Sequence, residues 1–220
     1  MILQERILEK ARAVFFSQGI RSVSMSDLAE ALGISKRTLY QIFPSKDELL
    51  RSLLQTEYEK FKTFFEKKRK EENKNIIHIL FEIITYMKHL MEGCSPLFLK
   101  DMEKYHTDIF DEYCSKIKKK SDEFIEKFFV VAQKQGYIRP EINLTIAHSA
   151  MEVIMRFQHE NIKSEKYSKM EILKSVTYPF IRGVFTEDGK KIINKLNKEM
   201  ISEHSTHQWN YHHANEFIEI

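Results

Sequence analysis

The stretch Ser24-Met25-Ser26-Asp27-Leu28-Ala29-Glu30-Ala31-Leu32-Gly33-Ile34-Ser35-Lys36-Arg37-Thr38-Leu39-Tyr40-Gln41-Ile42-Phe43-Pro44-Ser45-Lys46 decides how the first part of this chain folds. Ser24 stands three residues before Asp27, the pattern of an N-cap followed by an acidic residue in the first turn of a helix. The helix it opens continues through Leu28, Ala29 and Leu32 and stops at Gly33. Ile34 can plug the turn, and Ser35 caps a second helix that runs from Lys36 until Pro44 breaks it. Two short helices across a tight turn result. Their buried set is expected to be Leu28, Ala29, Leu32, Ile34, Leu39 and Phe43, with small Ala29 allowing close approach near the turn. Lys36, Arg37, Thr38, Tyr40 and Gln41 are then left facing outward.

Bulk charge says little about a partner. The whole chain has a formal charge of +3, and residues 1–50 hold seven Lys and Arg against six Asp and Glu. Placement says more, because the stretch from Ser35 to Lys46 carries Lys36, Arg37 and Lys46 and no acidic residue. Long cationic, hydroxyl and amide side chains on a helix about two turns long fit the major groove of DNA. There Lys, Arg and Gln meet base edges, and Tyr or Thr reaches phosphate. A solvated helix face explains any one of these side chains but not the helix-turn-helix grammar around them.

Upstream, Leu3, Ile7, Leu8, Ala11, Val14 and Phe15 recur at helical spacing between charged residues, and Gly19 ends this first helix. The run from Ser24 to Leu50 closely resembles the DNA-binding domain of the TetR family. The resemblance is strong over about the first 50 residues and architectural beyond. It implies that Ser24, Lys36, Arg37, Thr38 and Tyr40 approach DNA and that Lys46, at the start of the fourth helix, holds a phosphate. Ser35 and Gln41 complete the expected DNA-binding set. Arg37 stands where the family most often has Gly, and Gln41-Ile42 replaces its common Tyr or His pairs, so the operator need not match that of a better-known member.

From Lys46 a long helix carries Leu49, Leu50, Leu53, Leu54, Tyr58, Phe61, Phe64 and Phe65, and runs into a charged stretch at Lys67 to Lys74. Ile76, Ile77, Ile79, Leu80, Phe81, Ile83, Ile84 and Met87 occupy nearly every side of the next helix, which should be surrounded by protein. Ser95-Pro96 marks a break, a short helix runs from Leu97 to Tyr105, and a longer one from Ile109 ends at Gly136. Phe81, Ile84, Tyr86, Met87, Met102, Tyr113, Phe124 and Phe128 either line an apolar effector cavity or pack as plain core. Asn143 is placed to cap a helix through Ala147, Met151 and Ile154. A further helix offers Val176, Phe180 and Val184, is kinked by Pro179 and ends before Gly189. This late apolar pair suggests a helix-pair interface. The TetR resemblance implies that it meets its symmetry mate in a four-helix bundle, forming a homodimer on a palindromic operator.

The expected fold is therefore all-α. A three-helix helix-turn-helix DNA-binding domain (1–48) precedes a helical ligand-binding and dimerisation domain (49–201) and a His-rich tail (202–220). Only six Gly and four Pro disfavour turn-rich β architectures. No run approaches the length of a membrane span, and Glu5 and Glu9 sit where a secretory signal would be apolar, which points to the cytoplasm and no membrane partner. Cys94 and Cys114 have no metal-type spacing, and the tail with His204, His207, His212 and His213 beside Trp209 is read as docking apolar residues on the body or as partly disordered, rather than as a metal site. No cofactor is expected. An enzyme in the helical body is disfavoured, because the chain lacks a phosphate loop, a nucleophile elbow and any constellation around His78, His89, His106 or His148. The expected partners are double-stranded DNA, a small apolar or aromatic effector and a second copy of the chain. A regulator acting without an effector is the alternative.

Overall fold

The computed structural model describes residues 2–71, 74–163 and 166–204; within these spans the side chains at 87–88, 90–92, 159, 162–163, 169–170, 197 and 199–204 are outside the description. The helices are α1 (Leu3–Gln18), α2 (Met25–Leu32), α3 (Lys36–Ile42), α4 (Lys46–Arg69), α5 (Ile76–Glu92), α6 (Pro96–Tyr105), α7 (Thr107–Lys134), α8 (Leu144–Lys163), α9 (Lys169–Ile172), α10 (Tyr178–Val184) and α11 (Glu187–His204), with a π-helical turn at Leu173–Thr177. Among the described residues there is no strand, only one isolated antiparallel bridge between Ile138 and Phe185. No described helix is long and apolar enough to cross a membrane.

The chain forms two compact units. The first contains α1–α4, α6, α5 from Ile83 and α7 to Asp122. The second contains the start of α5 to Glu82, α7 from Glu123 and the helices α8–α11.

In the first unit the caps read from the sequence are in place. Ser24 Oγ accepts from Asp27 N at 3.2 Å while Ser24 N donates to Asp27 Oδ2 at 2.8 Å, so two helix-end donors are satisfied reciprocally. Gly33 ends α2 at φ +66°, a left-handed conformation that favours a residue without Cβ. Ser35 Oγ caps α3 by accepting from Thr38 N at 3.0 Å, and Ser45 Oγ caps α4 by accepting from Glu48 N at 3.1 Å. Leu28, Ala29, Leu39 and Phe43 are buried, while Leu32 and Ile34 pack half-buried against the same core. That core continues past residue 48. Leu49, Leu50, Leu53 and Leu54 of α4, Phe98 and Met102 of α6 and Ile109 of α7 belong to it.

The second unit is built on Ile76, Ile77 and Ile79 of α5, Phe124, Phe128, Phe129 and Ala132 of α7, Ala147 and Ile154 of α8, and Ile193 and Leu196 of α11. Asn143 Oδ1 accepts from Ile146 N at 3.1 Å and caps α8 as expected. α5 departs from expectation: it is not enclosed all round, because Ile84 is 44% exposed. Gly189 does not end a helix. The chain breaks earlier, at Phe185 and Thr186, and Gly189 lies inside α11, where an added Cβ would come 2.5 Å from the Tyr137 carbonyl oxygen. A glycine that reads as a stop is there for close approach. The tail histidines His207, His212 and His213 and Trp209 lie outside the described residues, while the backbone at His204 closes α11.

Candidate nucleic-acid interface

α3 is held from behind. Leu39 is fully buried and Phe43 nearly so, and burying a leucine or phenylalanine side chain contributes about 1.5–3 kcal/mol, which keeps this seven-residue helix in one orientation. Lys36, Arg37, Tyr40 and Gln41 are exposed on the other side, Tyr40 at 47%. Thr38 is half-buried, and its Oγ1 lies 2.8 Å from Ser35 Oγ, so these two hydroxyls share one hydrogen bond and one proton between them stays free to donate. Ser24 is exposed at the start of α2. The Ser24 backbone N–H, and after it the Ser24 side chain, hold the Asp27 carboxyl below the usual range.

Lys46 is placed differently from the expected phosphate holder. Its ammonium donates to the Ile20 carbonyl and lies 5.7 Å from the centre of the Phe15 ring, on the inner side of the domain. Burial lowers its pKa, and the carboxylates of Asp101, Asp47 and Asp27 act in the opposite direction. In this structure the half-buried Lys46 side chain is engaged by a backbone carbonyl and a ring and fastens α4 to α1.

Three fastenings in this unit carry no motif in the sequence. The Glu57 carboxylate, only 3% exposed, accepts from Lys60 Nζ at 2.8 Å and forms an ion pair with Arg12, whose Nε lies 3.1 Å from Oε2, linking α4 to α1. Asp101 Oδ2 accepts from Arg21 N at 2.8 Å, and the Arg21 guanidinium donates to Tyr105 Oη at 2.7 Å while lying 4.3 Å from the centre of that ring. His106 Nδ1 stands 3.0 Å from Asp47 Oδ1. α6 is thereby tied to the loop after α1 and to the first turn of α4. The Glu57 signal was available: it falls four residues after Leu53 and four before Phe61, a charge at an apolar position of the α4 stripe.

The residues expected to line an effector cavity divide between the two units. Phe81, Phe124 and Phe128 belong to the second unit, and Ile84, Tyr86, Met102 and Tyr113 to the first; the Met87 side chain is outside the description. Met102 is fully buried among the helices of the head, so it is core. Tyr86 stacks on Phe64 with ring centres 4.3 Å apart. Of the expected residues only Tyr113 lines a pocket described in this structure, one formed by α1, α4 and α7. The expected dimer residues also divide. Ala147, Ile154 and Val184 are buried within their own unit; Met151, Val176 and Phe180 are half-buried. The exposed apolar side chains of α8 include Ile146 at 68% and Val153 at 53%, about a quarter-turn round the helix from the buried row.

Among the described residues no three His, Cys, Asp or Glu side chains are grouped to hold a metal ion. Burial pushes the Cys94 thiol up to about 11 and raises that of Cys114, so both are protonated near neutrality and neither is a ready nucleophile.

A short cationic helix, capped, backed by a fixed core and presented beside a glycine turn, defines a helix-turn-helix domain. Residues 7–53 match the family described as bacterial regulatory proteins, tetR family. The chain is 30% identical over 106 residues to YvaF of Bacillus subtilis, an uncharacterized HTH-type transcriptional regulator, the match covering 48% of this chain and 55% of that protein. It is 28% identical over 141 residues to the HTH-type transcriptional regulator UidR of Escherichia coli K12, covering 63% and 70%. The chain thus spans about half the length of the first of these relatives. In fold it is similar to the regulatory protein TetR from Rhodobacter sphaeroides, with a TM-score of 0.57 at 14% identity over 84% of this chain and all of that one. The match to this family is carried by the first three helices and the start of α4, where the chain is similar to TetR-family regulators.

Proposed function

We propose that this chain is a sequence-specific DNA-binding transcription regulator that places α3 in the major groove as a homodimer on a palindromic operator, and that it is a repressor released by a small-molecule effector. The observation that carries the reading is the outward face of α3. Lys36, Arg37, Tyr40 and Gln41 are exposed on a helix whose orientation Leu39 and Phe43 fix. Arg37 and Gln41 are suited to base edges, whereas Lys36, Tyr40 and the Ser24, Ser35 and Thr38 hydroxyls are suited to backbone oxygens. Lys46 supports this surface from beneath.

The second copy is received on α8 through Ile146, Ala150, Val153 and Phe157, spaced as one stripe, in place of Ala147, Ile154 and Val184. Two-fold symmetry of the dimer then sets half-sites about one helical turn apart. The relatives named above are transcriptional regulators, which favours regulation over catalysis in the helical body.

Selection of bound sequences from a random double-stranded DNA pool tests this, followed by affinity across a salt series for the winning sequence beside Arg37→Ala and Tyr40→Ala. A palindromic winner, a steep salt slope and weaker binding by both variants are expected. Wild-type affinity in both variants would refute the docking of α3.

A further inference from the structure

α1, α4 and α7 line a partly open pocket of about 330 Å³ within the first unit. Its base is apolar: Leu54 and Ile109 are buried, Leu8 and Tyr113 half-buried. Its rim is charged and spans two helices. Arg51 Nη1 of α4 donates to Glu112 Oε2 of α7 at 2.7 Å, and Lys116 Nζ donates to Glu112 Oε1 and to Gln55 Oε1, each at 2.8 Å. Two cations share one carboxylate, so the rim is net positive over an apolar base. The volume lies at the lower end of the range for small-molecule sites, about 300–1,000 Å³.

We propose that this pocket binds a small organic anion with an apolar or aromatic tail, its acid group on Arg51 and Lys116 and its tail on Leu8, Leu54, Ile109 and Tyr113. The guanidinium fork of Arg51 matches a carboxylate or sulfonate with two parallel hydrogen bonds, and Lys116 supplies a point charge that can swing to the same group. Glu112 stands at the exposed mouth, where an ion pair contributes little and the carboxylate can turn to water as the ligand acid takes its place.

The position has leverage. Leu8 belongs to the helix whose inner side, Ile7, Ala11 and Phe15, backs the recognition helices, and Arg51 to Thr56 continue the helix that Lys46 seats on α1. A ligand wedged here separates α1 from α4 and α7 and reorients the head. That consequence, unlike the binding itself, rests on the proposed DNA-binding function.

Titration of the full chain with 8-anilinonaphthalene-1-sulfonate, an aromatic anion, reads the site by fluorescence without DNA. Saturable binding is expected, weakened about tenfold or more in Arg51→Ala/Lys116→Ala and unchanged in Lys118→Ala/Lys191→Ala, which removes two other exposed lysines. Circular dichroism melting establishes that both variants are folded. The uncharged analogue N-phenyl-1-naphthylamine should bind more weakly to the wild type and be indifferent to the rim substitutions. No binding by the wild type, equal affinity in the rim variant, or equal loss in the control variant overturns the proposal. Affinity for the selected operator, measured with and without the anion, should shift in the wild type and not in the rim variant. If no DNA is bound under any condition the regulator reading fails, while the fluorescence titration still decides the pocket.

Discussion

Replacing Glu57 with alanine should destabilise the first unit by about 1–2 kcal/mol. The carboxylate is 3% exposed and meets Arg12 at 3.1 Å and Lys60 at 2.8 Å. The Arg12 pair is charge attraction without an aligned hydrogen bond from Nε, and with the guanidinium partly exposed it contributes about 1 kcal/mol. The Lys60 contact is an i,i+3 pair with a half-exposed lysine, so it is discounted to roughly 0.2–0.5 kcal/mol. Arg12 is 38% exposed and can regain water when its partner is lost, which keeps the total below the 3–5 kcal/mol typical of an orphaned buried charge. For a chain of this size the loss corresponds to about 2–8 °C in melting temperature. Arg12→Ala alone also removes the guanidinium packed 4.7 Å from the centre of the Phe16 ring, so a double-mutant cycle is needed to isolate the pair. Urea unfolding followed by circular dichroism on the wild type, both single variants and the double variant should give a coupling of at least about 1 kcal/mol. Losses that add within about 0.5 kcal/mol would show that the two side chains act independently and that α1 and α4 are not latched here.

Leu39→Ala should cost about 2–5 kcal/mol and abolish operator binding together with stability, whereas Tyr40→Ala should leave the melting curve in place and weaken DNA binding alone. Lys46→Met should lower stability and operator affinity while leaving the salt slope of binding unchanged, since the ammonium neutralises no phosphate; a slope reduced by about one unit would return Lys46 to the DNA surface. Asp27 carries a depressed pKa from its bonds to Ser24. Its contribution is therefore present above the ordinary carboxylate pKa and lost as pH falls through the lowered folded value; Ser24→Ala, which keeps the backbone donor that contributes most, should raise the Asp27 pKa only in part in a carboxyl NMR titration and shrink that acid-side loss. On α8, Val153→Glu should turn a sedimenting dimer into a monomer, whereas a persistent dimer would place the interface elsewhere.

Local features were legible in the sequence because they are written within a few residues. Ser24, Gly33, Ser35 and Pro44 mark the ends of α2 and α3, and each boundary lies where its cap or breaker puts it. Which face of a helix is buried is a tertiary fact, and there the reading failed. α8 is apolar on two sides, so pattern alone could not separate the row Ala147 and Ile154 that packs within the unit from the row Ile146 and Val153 that does not. Met102 looked like a cavity wall because flexible apolar side chains serve both roles, yet α6 spends it on the core of the head. Lys46 was read from its position in a motif, but a lysine stem is long enough to reach an inner carbonyl as easily as an outer phosphate. The pocket of α1, α4 and α7 was invisible for a simpler reason: Leu8, Arg51 and Lys116 are distant in the chain, and their types at those spacings are those of ordinary amphipathic helices.

The π-helical turn at Leu173–Thr177 is where the chain absorbs Pro179. Tyr178 N donates five residues back to the Leu173 carbonyl, widening the helix just before a ring that would clash with the carbonyl four residues behind it. Such a turn behaves like an inserted letter in a reading frame. Each residue in an α-helix advances the azimuth by about 100°, so one extra residue re-addresses every side chain beyond it. Val176, Phe180 and Val184 fall in register on paper but straddle this phase change, and only Val184 ends buried. Deleting one residue from the turn would restore the frame and rotate Phe180 and Val184 to new neighbours, an edit far larger in effect than any single substitution along the same helix.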